Sequence, residues 1–287
     1  MKLNQAALKA HPLPPVVDGD KETKGRILIV AGSRAVPGAA LLAASAAMRA
    51  GAGKLRIATV ESAAIPIGVA MPEAMVIALP EAADGGFAPS AARQVAKLAD
   101  EVDAVVAGPG VKRNHCCGKM AQALLETDAA LAFDVALLEM LGPPRTERRS
   151  PPVLLPNAGE LGALLECDEG EIERDPLGCG RRAAERYRAI VLVKGVTSHV
   201  VTADGDSWTY GGGAPGLGVS GSGDVLAGIL GGLLARGAEP LNALLWAVWL
   251  HGEAGARLAT KVGPIGFLAR HMRARFPPCY RADLLAW

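Results

Sequence analysis

The sequence has no excess of charge of either sign: 30 lysine and arginine residues stand against 29 acidic ones, and the formal net charge is +1 at pH 7. Nucleic acids and anionic membranes attract strongly basic surfaces, so we expect neither as a main partner. Half of the 287 residues are hydrophobic. The chain can therefore bury a large core, and long disordered segments are not expected.

Cysteine is scarce as well, with five residues that form no CxxC pair and no Cys/His spacing of the zinc-binding kind. This pattern predicts reduced thiols in a cytoplasmic protein. The first 25 residues lack the apolar run of a signal peptide. The alanine-rich stretch 39–52 is too short to span a bilayer and contains Arg49, which favours a buried helix.

Apolar runs alternate with helical patterns along most of the chain. Residues 26–32 read as a buried parallel strand, 39–50 as a helix and 54–60 as a second strand, which together make a βαβ unit. Further strands are predicted at 74–79, 104–107, 131–134, 153–155, 190–194, 199–202 and 207–210. Further helices are predicted at 90–99, 119–126, 159–165, 223–235 and 241–258.

This alternation predicts an α/β fold with a mostly parallel sheet covered by helices on both faces. The proline-rich stretch 142–152 reads as a loop, and the tail after Gly263 is less patterned. Neither separates two units clearly, so we predict a single domain over 1–287 with a motif-bearing core of about 24–260.

The strongest local signal is Gly221-Ser222-Gly223-Asp224 at the start of a predicted helix. Glycines allow close backbone approach, and the first turn of a helix offers free N–H groups and a positive dipole end, which together favour an anion such as phosphate. Asp224 would be costly beside a phosphate unless it served the chemistry, for example as a base for a substrate hydroxyl. The alternative is that Asp224 only caps the helix.

Two glycine motifs fail on their context. Gly216, Gly218 and Gly221 match G-x-G-x-x-G, but no suitable βαβ unit follows them, as a dinucleotide fingerprint requires. The segment 51–54 fails as a Walker A loop because Leu55 stands where a serine or threonine is needed. His251 lies in an apolar helical stretch and is interpreted as a packed residue rather than a ligand.

Three further strand-end segments could contribute to a site. Lys194-Gly195-Val196-Thr197-Ser198 could hold the phosphates or ribose of a nucleotide, or could be only a solvated turn. Asn157 and Glu160 could hold a hydrated Mg²⁺, or could form an N-cap with a capping-box glutamate. Gly108-Pro109-Gly110 lies where α/β sheets bind ligands, but could equally be a turn.

Taken in order, these motifs resemble the NAD(P)H-hydrate dehydratase family, a carbohydrate-kinase-like family of the ribokinase-like superfamily. The resemblance runs from about Lys24 to about Leu258. It is carried by Lys24-Gly25 with 27–32, by 37–43 and 49–53, by Pro72-Glu73-Ala74-Met75-Val76, and by the strand-end motifs above. It implies a ribokinase-like fold, namely a three-layer α/β/α sandwich with a mostly parallel central sheet.

The resemblance also implies an activity. Family members repair NADH and NADPH whose nicotinamide ring is hydrated: ADP or ATP phosphorylates the C6 hydroxyl, and phosphate then leaves. Asp224 would be the base and would touch the substrate, and Mg²⁺ would assist. Residues 194–198 and 221–223 would bind the nucleotide, and Ala39, Gly110 and Asn157 would line the hydrate pocket. A stand-alone bacterial form and a homo-oligomer, with a tetramer suspected, would suit the family.

The chain departs from the family pattern at three positions. Asn157 stands in place of a histidine, Ala136 in place of a second acid, and Lys112 in place of a glycine. All three changes fall on the implied substrate side. The Asn-x-x-Glu pattern at 157–160 also resembles sugar and vitamin kinases. Two alternatives therefore stay open: a small-molecule kinase that stops at the phosphorylated product, and a nucleotide-binding sensor with little catalysis.

Overall fold

The computed structural model describes residues 1–16, 21 and 23–272. Apolar, β-branched runs form nine strands in one sheet. The strands are β1 (Arg26–Val30), β2 (Lys54–Val60), β3 (Ala74–Leu79), β4 (Ala104–Ala107), β5 (Ala130–Phe133), β6 (Val153–Leu154), β7 (Ile190–Val193), β8 (Ser198–Val201) and β9 (Ser207–Tyr210).

The strand order is β3-β2-β1-β4-β5-β6-β7-β8-β9. From β3 to β7 all neighbours are parallel, and β8 and β9 follow as antiparallel strands. The chain moves outward from β1 to β3 and then returns to place β4 on the other side of β1. The order therefore reverses between β1 and β4, and open α/β sheets bind ligands at the carboxyl ends of the strands at such a reversal.

Helices connect the parallel strands. In the described part of the chain they are α1 (Gln5–Ala10), α2 (Gly38–Arg49), α3 (Glu61–Ala70), α4 (Ala91–Ala99), α5 (His115–Leu125), α6 (Val135–Glu139), α7 (Ala158–Leu165), α8 (Glu169–Arg174), α9 (Pro176–Tyr187), α10 (Ser222–Ala235), α11 (Pro240–Val262) and α12 (Ala269–Met272). A short 3₁₀ turn spans Pro215–Leu217.

The core lies on both faces of the sheet. Residues 27–30 of β1 alternate between the two faces, yet all four are fully buried, so helices cover both sides. On one side α10 packs against β1, β4 and β5 and against α2 and α11. This arrangement confirms the predicted α/β fold with its mostly parallel sheet.

Several helix predictions need correction. Helix α5 begins at His115 rather than at residue 119, because the Asn114 side chain accepts a hydrogen bond from the Cys116 N–H and caps the helix there. Helix α11 continues to Val262. The prediction missed α3, whose pattern includes Pro66, and α9, which begins with Pro176 after the capping residue Asp175.

The four described cysteines, Cys116, Cys117, Cys167 and Cys179, are free thiols. Cys279 lies outside the described residues. In the described part of the chain, no helix has both the length and the apolar character needed to cross a membrane. Trp246 and Trp249 are buried and pack edge to face with ring centroids 5.9 Å apart, so this pair belongs to the core.

Candidate active site

The loops after β1 and β4 meet where the strand order reverses. The Gly32 N–H donates to the Pro109 carbonyl at 2.8 Å and joins the two loops directly. A Cβ atom placed on Gly110 would lie 2.5 Å from the Ala39 Cβ, so these two predicted pocket residues are in contact. The segment 108–110 therefore lies where the sequence predicted a ligand-binding turn.

A buried ion-pair cluster lies at the same edge of the sheet, after β5 and β7. The Lys194 Nζ atom donates to Asp134 Oδ1 at 2.8 Å and lies 3.3 Å from Glu160 Oε2. The side chains of Asp134 and Lys194 are only 2% and 20% exposed. Burial lowers the pKa of Lys194, but the two carboxylates outweigh that effect and raise it above its usual value, so this lysine is charged.

The start of α10 faces this cluster. Gly221 takes the N-cap position with φ +86°, and no side chain caps the helix. The backbone N–H groups of Gly221, Gly223 and Asp224 find no acceptor among the residues that the structure describes. A Cβ atom placed on Gly223 would lie 3.8 Å from Lys194 Nζ. Free N–H groups, a helix dipole and an ammonium thus converge, which is the arrangement that binds phosphate.

Asp224 lies in the first turn of α10 and does not cap it, so the capping alternative for this residue is not what the structure shows. Burial raises the pKa of Asp224 to about 6, with a further increase from Asp134 and a partial offset from Lys194. A Cβ atom on Gly221 would lie 3.7 Å from Asp224 Oδ2 and 2.5 Å from the Leu42 side chain, one helical turn after Ala39. Gly221 is therefore close both to the Asp224 carboxylate and to α2, the helix that contains Ala39.

His251 supports the start of α10 from α11. Its Nε2 atom lies 3.0 Å from Ser222 Oγ and 3.1 Å from the Ser222 carbonyl oxygen. Burial lowers the pKa of His251 to about 4, and Lys194 adds to that effect. This histidine is therefore neutral and packed, as its sequence context predicted. It also contacts the glycine-rich segment, which the sequence did not reveal.

Asn157 and Glu160 form a capping box at the start of α7. The Glu160 N–H donates to Asn157 Oδ1 and the Asn157 N–H donates to Glu160 Oε2, both at 2.8 Å. The capping box, which the sequence offered as the alternative to a Mg²⁺ site at this pair, is therefore present. Through its Lys194 contact, Glu160 also belongs to the buried cluster. Asn157 and Glu160 thus cap the start of α7, and Glu160 also lies beside the Lys194 ammonium.

The remaining predicted residues divide between the site and the surface. In the loop between β7 and β8, Lys194 points into the cluster, whereas Gly195, Val196 and Thr197 are exposed, with Val196 99% accessible. Ser198 Oγ donates to the Gly195 carbonyl at 3.4 Å and closes the turn. The loop is therefore a turn, and it also supplies the Lys194 ammonium to the cluster.

The two other departures from the family pattern have structural roles. The Lys112 ammonium donates to the Asp84 carbonyl at 2.6 Å and ties the segment after β3 to the loop after β4. Ala136 is buried in α6 among core side chains. An acid at position 136 would need a partner there, because a buried unpaired carboxylate is costly.

Comparison with known proteins identifies the family. A family model described as NAD(P)H-hydrate dehydratase matches residues 27–278. The chain belongs to the NAD(P)H-hydrate dehydratase family. The ADP-dependent (S)-NAD(P)H-hydrate dehydratase of Xanthomonas campestris pv. campestris is 43% identical over 275 residues, which cover 95% of this chain and 93% of that protein.

Solved structures of NAD(P)H-hydrate dehydratases share this fold. The ADP/ATP-dependent NAD(P)H-hydrate dehydratase of Bacillus subtilis, co-crystallised with ATP and Mg²⁺, superposes with a TM-score of 0.85 at 27% identity, covering 99% of this chain and 98% of that one. The predicted ribokinase-like fold is confirmed. The chain spans about half the length of bifunctional NAD(P)H-hydrate repair enzymes such as that of Gloeobacter violaceus, at 37% identity over 98% of this chain and 54% of that protein.

Sequence reasoning about this NAD(P)H-hydrate dehydratase missed two residues of the site. Asp134 ends the strand predicted at 131–134 and had no role assigned to it, and its contact with Lys194 joins residues 60 positions apart. The signal that could have found it is its place at the carboxyl end of a central strand, where α/β enzymes bind their ligands. His251 had no such signal, because its neighbours in α11 are mostly apolar.

Proposed function

We propose that this chain restores NADH or NADPH from the hydrated form by phosphorylating the C6 hydroxyl of the nicotinamide ring with ADP or ATP and then eliminating phosphate. The observation that carries the proposal is the start of α10. A partly buried carboxylate, an uncapped helix end and a partly buried ammonium meet there, at the edge of the sheet where ligands bind.

Asp224 serves as the base. Its pKa of about 6 leaves it mostly ionised near neutral pH, yet basic enough to take a proton from a hydroxyl as the bond to phosphorus forms. In that step the hydroxyl oxygen bonds to the terminal phosphorus of the nucleotide, the bond from that phosphorus to the bridging oxygen breaks, and the proton passes to Asp224. AMP leaves when ADP is the donor, and ADP leaves when ATP is the donor. Such a carboxylate would only repel a phosphate in a protein that binds nucleotide without catalysis.

The start of α10 stabilises the transferring phosphoryl group. The free N–H groups of Gly221, Gly223 and Asp224 point at the charge that develops on its oxygens, and Lys194 adds a positive charge. Ser222 holds this turn through its contacts with His251. Residues 194–198 and 221–223 would together hold the nucleotide, with the exposed residues of the β7–β8 loop available for its outer part.

The second stage is an elimination. The C6–O bond breaks, inorganic phosphate leaves, the ring nitrogen supplies electrons, and the neighbouring ring carbon loses a proton, which restores the double bond. Phosphate leaves far more easily than hydroxide, which explains why a phosphoryl donor is needed. Ala39 and Gly110, in contact at the strand-order reversal, would line the hydrate pocket together with Asn157.

The charges at the site support a role for Mg²⁺. Asp134, Glu160 and Asp224 are three acids around Lys194, and a nucleotide would bring more negative charge. The described residues contain no cluster of three metal-ligating side chains. We propose that Asn157 and Glu160 would hold a hydrated Mg²⁺ through water together with the nucleotide's own phosphates, where the ion would neutralise phosphate charge.

We infer ADP as the preferred donor, because the Xanthomonas relative is an ADP-dependent enzyme. The four described cysteines are free thiols, which is consistent with a reducing compartment, and we propose a cytoplasmic protein. A homo-oligomer, with a tetramer as the first candidate, completes the proposal.

The test is recovery of the reduced nicotinamide. Purified protein is incubated with Mg²⁺, one of ADP or ATP, and one of NADH hydrate or NADPH hydrate, and both the reduced-nicotinamide absorbance and the released phosphate are followed. We expect recovery of the absorbance in step with phosphate release, and faster recovery with ADP. Omitting the nucleotide is the control.

Two results would contradict the proposal. Absence of recovery in all four combinations of nucleotide and hydrate would exclude the dehydratase activity. Consumption of nucleotide with a stable phosphorylated product, and no recovery of absorbance, would identify a kinase that stops at the first stage.

A further inference from the structure

Asp134 is a buried acid that none of the roles above uses. It follows β5 directly, and its N–H donates to the Ala107 carbonyl at 3.0 Å, which continues the ladder with β4. Its side chain is 2% exposed. A buried carboxylate is costly unless it is paired, so its single close ion pair, with Lys194, has to account for its presence.

The backbone next to Asp134 is strained. The next residue, Val135, has φ +47°, a region that β-branched residues rarely enter. A β-branched residue in this conformation is unfavourable, and strain of this kind is found most often at functional sites. The neighbouring Gly108 has φ +133°, and a Cβ atom there would lie 1.8 Å from the Asp134 carbonyl oxygen. The strained conformation of Val135 and the close approach of Gly108 thus both lie next to the residue that carries this carboxylate.

Asp134 connects the end of β5 with the start of α10 through Lys194. Its Oδ1 atom accepts from Lys194 Nζ at 2.8 Å. Its Oδ2 atom lies 3.9 Å from the position of a Cβ atom on Gly223. The other acid beside Lys194 is Glu160, at 3.3 Å, and that carboxylate is shared with the capping box of α7. Of the two partners, Asp134 is therefore the closer one and the one that faces α10.

We propose that Asp134 is a positioning residue for the nucleotide phosphates: it holds the Lys194 ammonium beside the free N–H groups of α10. Without Asp134, the ion pair that remains to Lys194 within 4 Å among the described residues is the one with Glu160, and its ammonium moves toward α7. The inference rests on the proposed function only in requiring that phosphate binds at α10.

The test is a double-mutant cycle read by equilibrium nucleotide binding. Asp134→Asn, Lys194→Met and the double variant are titrated with ADP and with ATP by calorimetry, and thermal unfolding is recorded for each. We expect each single variant to weaken ADP binding by about tenfold or more, the size of losing a charge-assisted contact. The double variant should be no weaker than Lys194→Met, because the two residues act as one unit.

A matched control is Asp103→Asn. Asp103 is also an aspartate at a strand end with a side-chain ion pair, to Arg26 at 3.2 Å, but it lies at the opposite ends of β1 and β4. It should leave nucleotide affinity unchanged. If Asp134→Asn does not fold, Asp134→Glu keeps the charge and displaces it by one methylene, and a weakening of ADP binding is again expected.

Three outcomes would overturn the inference. Additive effects of Asp134→Asn and Lys194→Met would show that the residues act separately. Unchanged ADP affinity with a lowered Tm would show a purely structural role. A loss that disappears when Mg²⁺ is removed with EDTA would assign Asp134 to the metal instead. Nucleotide binding needs no turnover, so failure of the dehydratase assay would leave these results interpretable.

Discussion

Two helices begin at this site in different ways. Helix α10 begins at Gly221, without a side-chain cap, and three of its N–H groups find no acceptor in the described part of the chain. Helix α7 begins at Asn157, and its side chain and that of Glu160 close a capping box. Both starts lie near Lys194.

The difference shows how one structural feature serves two purposes. An acceptor side chain at a helix start uses N–H groups that would otherwise bind a ligand. A glycine at the same place leaves them available, and the anion that binds there completes the helix end. We therefore expect the largest losses of catalysis and of nucleotide binding at α10, and smaller effects at α7 that come mainly from the loss of a helix cap.

The largest effect is expected from Asp224→Asn in α10. Turnover should fall by about 10²- to 10⁴-fold, the usual contribution of a general base, while ADP still binds. The rate of the unmodified protein should fall as the pH drops below about 6, because Asp224 then takes up a proton. Steady-state rates across pH, together with ADP titration, measure both expectations.

The same substitution should stabilise the protein near neutral pH. The folded pKa of Asp224, about 6, lies above its ordinary value of 3.8, so the folded state binds more protons between these values, and stability falls as the pH rises through that window. Asparagine does not ionise and therefore removes this destabilisation. Because each pKa unit corresponds to about 1.4 kcal/mol, the gain in the free energy of unfolding is up to about 3 kcal/mol. Urea unfolding at pH 7 should show the gain, and at pH 4 it should shrink.

The matched control is Asp168→Asn, an exposed aspartate at the start of α8 whose side chain also makes no capping bond. It should change neither the rate nor the stability. If Asp224→Asn kept most of its rate, the assignment of the base would be wrong.

The next effect is expected from Gly223→Ala. In the described part of the chain, the nearest atoms of other elements to the added methyl group would be Lys194 Nζ at 3.8 Å and Asp134 Oδ2 at 3.9 Å, which are ordinary contacts, so folding should be unaffected. The methyl group would occupy space beside the phosphates, and we expect ADP affinity to fall about tenfold. Gly170→Ala, a helical glycine of α8 with open space around it, is the control and should bind ADP normally. Normal affinity in Gly223→Ala would place the phosphates elsewhere.

The smallest effect is expected at α7. Asn157→Ala removes the N-cap and should lower the free energy of unfolding by about 1 kcal/mol, whereas Asn157→Ser keeps a capping hydroxyl and should lose little. Urea unfolding of the pair measures the cap. Both variants should need more Mg²⁺ for half-maximal rate, since both lose the amide. An unchanged Mg²⁺ requirement in both would remove Asn157 from the metal site.

The fold was largely predictable because it depends on local pattern. Runs such as Ile27–Val30 are apolar on both faces, and only a covered parallel strand needs that composition. Helix α9 was missed because most of its residues are polar or small, so its buried face contains few large apolar side chains, although Asp175 and Pro176 mark its start. In the site, Asp224 and Lys194 stand in recognisable local motifs. The roles of Asp134 and His251 depend on partners 60 and 29 positions away, which no local pattern contains.

The packing of α10 against α2 has a consequence for variation of this enzyme. A Cβ atom on Gly228 would lie 2.2 Å from the Ala43 carbonyl oxygen, and one on Gly232 would lie 2.4 Å from the Ala47 carbonyl oxygen. The two helices therefore touch backbone to backbone, and the helix that carries Asp224 has no freedom to slide along the one that carries Ala39. Randomised libraries that seek new acceptor substrates should leave the contact between α2 and α10 unchanged. They should vary the loops at the end of this contact, where a change of shape does not displace Asp224.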